Sequence, residues 1–149
     1  MITIKRTNSE NEDFINLVVL LDKDLKVRDG DEHIFYAQFN KIDKLKHTVI
    51  AYEDEIPVGC GAIKEYNNNI MEVKRMYVPP QHRRKGIARK VLYELESWAK
   101  ELNYNKCILE TGKKQPEAIG LYSKSGYKLI PNYGQYKDVE NSVCFEKVI

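Results

Sequence analysis

The chain has 149 residues, 42% apolar and 31% charged, a composition that fits one globular domain, 1–149, with a sizeable core. A formal net charge of only +2 argues against a nucleic-acid surface, so any basic feature is local. Cys60, Cys107 and Cys144 lie far apart with no Cys-x-x-Cys pair, and His33, His47 and His82 lack ligand spacing. A metal site and a disulfide framework are therefore not expected, and the thiols read as buried.

From the amino terminus, MITIKRTNSE lacks the apolar core of a signal sequence, and no apolar run is long enough for a membrane span. A reducing cytoplasm is the expected location. ITIKR alternates at period two, as a first strand does. Ser9 precedes ENEDFINLVVLLDKDL, where acidic residues fill the first turn and Phe14, Leu17, Val18 and Leu21 recur at helical spacing. Gly30 ends that helix, and EHIFYAQF suggests a shorter second one. HTVIAYEDEIPVGCGAIKEY reads as two strands joined at Glu53-Asp54-Glu55.

NNNIMEVKRMYVPP is the informative strand. Met71 and Val73 share one parity, whereas Met76 and Val78 share the other. A strand whose apolar side switches midway is either buried on both faces or bulged, here near Lys74-Arg75. Pro79-Pro80 then ends pairing, because neither has an N–H to donate. After Gly86, residues Ile87, Val91, Leu95, Trp98 and Leu102 form one apolar helical stripe. KCILETG is a further strand, and PEAIGLYSKSG a helix with Pro116 in its first turn and Gly126 at its end. YKLI and SVCFEKVI complete the sheet. The expected class is α/β with α+β character: a mixed sheet with an early antiparallel hairpin and a later β-α-β unit.

Between strand and helix stands QHRRKG. Arg83, Arg84 and Lys85 repel one another and the positive end of the helix dipole, which calls for an anion among them. Strand, basic loop, glycine and helix is an arrangement that binds phosphate through backbone N–H groups, although a solvated basic loop has the same composition. The run is neither a P-loop nor a dinucleotide fingerprint.

RRKGIA matches the Arg/Gln-x-x-Gly-x-Gly/Ala motif of the Gcn5-related N-acetyltransferase (GNAT) family, with Arg83, Gly86 and Ala88 in the defining places. EVKRMYVPP resembles the family's fourth strand, AIGLYSKSGY its last helix, and SVCFEK a common final strand, in family order over roughly residues 50–147. The resemblance implies a single acyl-CoA N-acyltransferase fold with a splayed mixed sheet, and acetyl-CoA as cosubstrate with no metal. It implies that main-chain N–H groups of Arg83, Arg84, Lys85, Gly86, Ile87 and Ala88 hold the pyrophosphate. It also implies that the pantetheine arm lies along Met76, Tyr77 and Val78, in accord with the parity switch.

Acetyl transfer needs a neutral amine, a donor to the oxyanion and a proton for the thiolate. Glu72 matches the strand position of the catalytic glutamate in histone-type members, and its parity opposes that of Met71 and Val73. A strand carboxylate paired with a lysine is its structural alternative. Glu110 is the other candidate base, with water relay a third route. Tyr122 falls on the family tyrosine that protonates the departing thiolate, the alternative being a packed helix residue. For a small-molecule or peptide amine, Asp29, Asp31 and Glu32 are candidate recognition groups with Tyr36 as a wall, against a simple turn and helix cap. Tyr133 and Tyr136 could also reach this pocket, or pack as exposed residues across a homodimer. A non-catalytic acyl-CoA-binding module and a nucleic-acid-binding domain are the competing functions. Neither a nucleic-acid nor a membrane partner is expected.

Overall fold

The computed structural model describes residues 1–30 and 44–149. The expected second helix lies outside the described residues, and with it Asp31, Glu32, His33 and Tyr36. Strand β1 (Ile2–Thr7) leads to α1 (Glu12–Asp29), then to β2 (His47–Glu53), β3 (Ile56–Asn67) and β4 (Ile70–Tyr77). Helix α2 (Ile87–Glu101), β5 (Lys106–Gly112), α3 (Pro116–Lys124), β6 (Lys128–Ile130) and β7 (Ser142–Val148) follow. The strands form one mixed sheet in the order β1-β2-β3-β4-β5-β7-β6. Among the described strands only β4 and β5 pair in parallel, as a β-α-β connection through α2 requires.

Helix α1 covers one face, where Phe14, Leu17, Val18 and Leu21 pack on Ile50, Cys60, Ala62 and Tyr77. Helices α2 and α3 cover the other face, over Val49, Ile63, Met71, Val73 and Leu109. The α1 cap is Asn11, whose side chain accepts from the N–H groups of Asp13 and Phe14, rather than the expected Ser9. Asn11 stands directly before the first helical residue, within reach of those two N–H groups, whereas the Ser9 N–H donates to Leu45 O. The β2–β3 hairpin turns on Asp54 and Glu55 at φ 50° and 71°, the double positive φ of a type I′ turn made here without glycine. The α2 stripe is buried at Ile87, Val91 and Leu95, and Trp98 is partly covered. Leu102 does not belong to it: it caps the helix end and is 37% exposed.

Two features open a cleft. Opposite the step from Cys60 to Ala62 on β3, β4 steps from Tyr77 to Lys74, so β4 carries one extra residue, and Arg75 takes φ 58°. This bulge produces the parity switch: Met71, Val73, Met76 and Val78 all join the core under α2. Pairing of β4 with β5 covers only Ile70–Glu72 against Lys106–Ile108, while β5 stays paired with β7 along its whole length. Beyond Glu72 the sheet therefore splits. Gly59 brings the α2 start close to β3, since a Cβ there would lie 2.7 Å from Ile87 Cγ2.

Candidate active site

A cleft of about 510 Å³ runs from the split to the start of α2. Its walls include Met76, Tyr77 and Val78 from β4 and Arg83, Arg84, Gly86, Ile87 and Ala88 from the loop and first helical turn. Arg84 and Gly86 have φ 67° and 76°, two left-handed positions just ahead of α2. Gly86 caps α2 without a side chain, and no acidic residue occupies the first turn. The N–H groups of Ile87, Ala88 and Arg89 therefore have no intrahelical acceptor, and Lys90 N–H is the first to find one, at Gly86 O. A Cβ on Gly86 would meet nothing within 4 Å, so the seat is open. These donors and cations fit a diphosphate.

The three cations do not act alike. Arg83 Nε donates to Val78 O at 2.8 Å, and its guanidinium lies 5.9 Å from the Tyr77 ring centroid, tying the loop to the end of β4. Lys85 reaches Glu53 at 3.3 Å. Arg84 forms no ion pair with a described residue and lines the cleft. Glu117, in the first turn of α3, pairs with Arg28 of α1 and lies 4.0 Å from Arg83, so a carboxylate borders the same cleft.

A second cavity of about 100 Å³ occupies the split. It brings together Glu72, Lys74 and Arg75 of β4, Glu110 of β5, Asp29 of α1 and Tyr136. Leu21, Met76, Gln115, Ala118 and Tyr122 line both this cavity and the larger cleft. Tyr122 is 6% exposed, and burial pushes its phenol up, aided by the nearby Glu110 carboxyl.

Glu72 is buried, accepts a 2.6 Å bond from the Tyr133 hydroxyl and lies 3.6 Å from Lys74 Nζ. It thus combines the two sequence alternatives, facing a cavity and pairing with a lysine. Glu110 accepts from Ser142 Oγ at 2.6 Å, and burial pushes its carboxyl up to about 7. Tyr136 is buried at 3% exposure and Tyr133 is partly buried, so neither is the exposed residue that a packing role across a homodimer required. Tyr133 stacks edge-on against Tyr66 and Tyr136 at 5.4 and 5.9 Å.

All three cysteines are buried, and burial pushes the thiols of Cys60 and Cys107 up to about 12. Among the described residues no group of His, Cys, Asp and Glu is placed to hold a metal ion. Sequence reasoning did not single out Gln115, Arg28, Glu117 or the site role of Arg75. For Arg75 the signal was present, because the parity switch marks the bulge that places it.

The family model "Acetyltransferase (GNAT) family" matches residues 14–127. The chain belongs to the GNAT acetyltransferase family. It is 30% identical to the IAA acetyltransferase of Azospirillum brasilense over 98% of this chain and 97% of that one. It is also 33% identical to the uncharacterized N-acetyltransferase YsnE of Bacillus subtilis, over 65% of this chain and 66% of that protein. Among solved structures, a Klebsiella pneumoniae protein assigned as an acyl-CoA N-acyltransferase superposes with a TM-score of 0.83 at 29% identity, covering 99% and 97% of the two chains. The PaiA N-acetyltransferase of Thermoplasma acidophilum, solved in complex with coenzyme A, shares the fold with a TM-score of 0.75 at 21% identity, covering 100% and 99%. The split mixed sheet is thus the acyl-CoA N-acyltransferase fold, and the chain is an acyltransferase-class enzyme.

Proposed function

We propose that residues 1–149 form one acetyltransferase domain that transfers the acetyl group of acetyl-CoA to a primary amine by direct attack in a ternary complex. The observation that carries this reading is the position of Tyr122 on the shared wall of two cavities. One is headed by open N–H donors and cations, the other lined by carboxylates.

Bound acetyl-CoA supplies an activated acyl thioester. The N–H groups of residues 84–88, with Arg84, hold its diphosphate, and the free backbone of Met76 to Val78 pairs with its arm and offers an N–H to the thioester oxygen. An ammonium of pKa about 10 must lose a proton before it can attack. We assign that proton to Glu110, whose carboxyl titrates near 7 because it is buried. Glu72, held by Tyr133 and Lys74, is the fixed neighbouring anion, so the order of the two candidate bases reverses from the sequence reading. As the C–N bond forms and the C–S bond breaks, the Tyr122 hydroxyl gives its proton to the leaving thiolate, and the second proton shed by the acylated nitrogen restores the hydroxyl. Retention of Tyr122, Glu72 and Glu110 around one cavity favours this over a non-catalytic module. Thiol release over a panel of amines tests it: release with at least one amine is expected, and coenzyme binding without release from any amine refutes it.

A further inference from the structure

We propose that the acceptor is a small amine that also carries a carboxylate, an amino acid or similar zwitterion, and that Arg75 binds the carboxylate. This rests on acetyl transfer at the site described above. A regular strand sends neighbouring residues to opposite faces. The bulge at Arg75 instead puts Lys74 and Arg75 on the α1 side together, and both line the cavity at the split. The Arg75 side chain is 1% exposed and its Nη2 bonds Asp22 of α1 at 2.5 Å, whereas its Nε–H is buried with no acceptor among the described residues. A buried guanidinium N–H without a partner is costly, and a ligand carboxylate oxygen would satisfy it.

The facing groups have the other sign. Glu110 and Asp29 share the cavity, and Glu72 adds a third carboxylate. A simple amine would pair with the carboxylates and leave the Arg75 N–H unmet. A simple carboxylic acid would satisfy Arg75 and give Glu110 no ammonium to deprotonate. A zwitterion is complementary in charge to both walls, and about 100 Å³ confines it to a small one.

The test compares glycine, alanine, serine and phenylalanine with their carboxamides as acceptors, read by thiol release. At least one free acid should exceed its amide in kcat/KM by about tenfold or more, the worth of a charge-assisted hydrogen bond. In Arg75→Gln the preference should vanish, chiefly through a higher KM for the acid, while calorimetry finds acetyl-CoA affinity retained. Amides used as well as acids, or neither used by a protein that binds acetyl-CoA, would overturn the proposal. So would an Arg75→Gln variant that lowers turnover of acid and amide equally. If that variant fails to fold, the wild-type comparison decides alone. Absence of acetyl-CoA binding would instead remove the transferase reading itself.

Discussion

The Tyr133 hydroxyl donates a 2.6 Å hydrogen bond to Glu72 Oε2, joining the segment between β6 and β7 to the split in the sheet. Lys74 lies on the other side of the same carboxylate, at 3.6 Å from Oε1. Tyr133→Phe removes one donor and leaves the ring packing with Tyr66 and Tyr136 in place. Turnover should fall about tenfold, the scale of a hydrogen bond to a charged group, with acetyl-CoA affinity unchanged. Steady-state kinetics and calorimetry on the same preparation check both parts.

Glu110 gives a pH dependence with a definite sign. Its carboxyl is raised to about 7 from an ordinary value of 4.5, chiefly by burial, so it is mostly protonated at pH 6 and ionised at pH 8. Activity should rise with pH through this window. Glu110→Gln should remove the limb and lower turnover by about 10²–10⁴-fold, the range of general acid–base catalysis. Stability runs the other way. Between pH 4.5 and 7 the folded state holds this proton more tightly than the unfolded state, so the contribution of Glu110 declines as pH rises. The Gln variant should therefore melt above wild type at pH 8, with the difference shrinking at pH 5, as read by thermal unfolding.

Tyr122 is buried between the two cavities. Tyr122→Phe keeps the ring against Tyr127 and Phe145 and removes only the hydroxyl. Turnover should drop by about 10- to 100-fold while acetyl-CoA affinity changes less than threefold. Acid catalysis of thiolate departure predicts that this loss shrinks with an acyl donor whose thiol leaves more readily. A purely structural tyrosine predicts no such dependence.

Glu117 sets a carboxylate beside the cationic cleft, shared between Arg28 and Arg83. Glu117→Gln removes that negative charge and frees Arg83 to face an anion. Acetyl-CoA affinity should improve a few-fold at low salt, with the gain fading as ionic strength rises, because the group is half exposed. Titrations at two salt concentrations check this.

The readable part of this molecule was local. Parity in EVKRMYV forecast the bulge at Lys74-Arg75, and Gly86 after three cations forecast an uncapped helix start. Pro116, Gly126 and the β2–β3 hairpin lie where propensity puts them. What escaped depends on distant pairings. That β4 leaves β5 after Glu72, so that Glu72 and Glu110 face one cavity, is a matter of register between strands whose paired residues lie 36 positions apart. Likewise Tyr136 reads as a surface aromatic in a polar loop, yet it is buried because Cys144 of β7 and the neighbouring Tyr133 ring cover it. The burial of Glu110 beside Ser142 likewise depends on the β5–β7 pairing and has no local signal in the sequence.

The seat at the start of α2 is the central claim, and calorimetric titration of acetyl-CoA into wild type, Gly86→Ala and Gly86→Glu tests it most directly. Both variants strain the φ of 76° alike, but only Glu adds bulk and negative charge at the helix start, beside the N–H groups of Ile87, Ala88 and Arg89 that lack intrahelical acceptors. Wild type should bind, Gly86→Ala should lose about tenfold or less, and Gly86→Glu should lose at least about a hundredfold, the scale of an unfavourable charge in a phosphate seat. Equal affinity of Gly86→Glu and Gly86→Ala would contradict the placement.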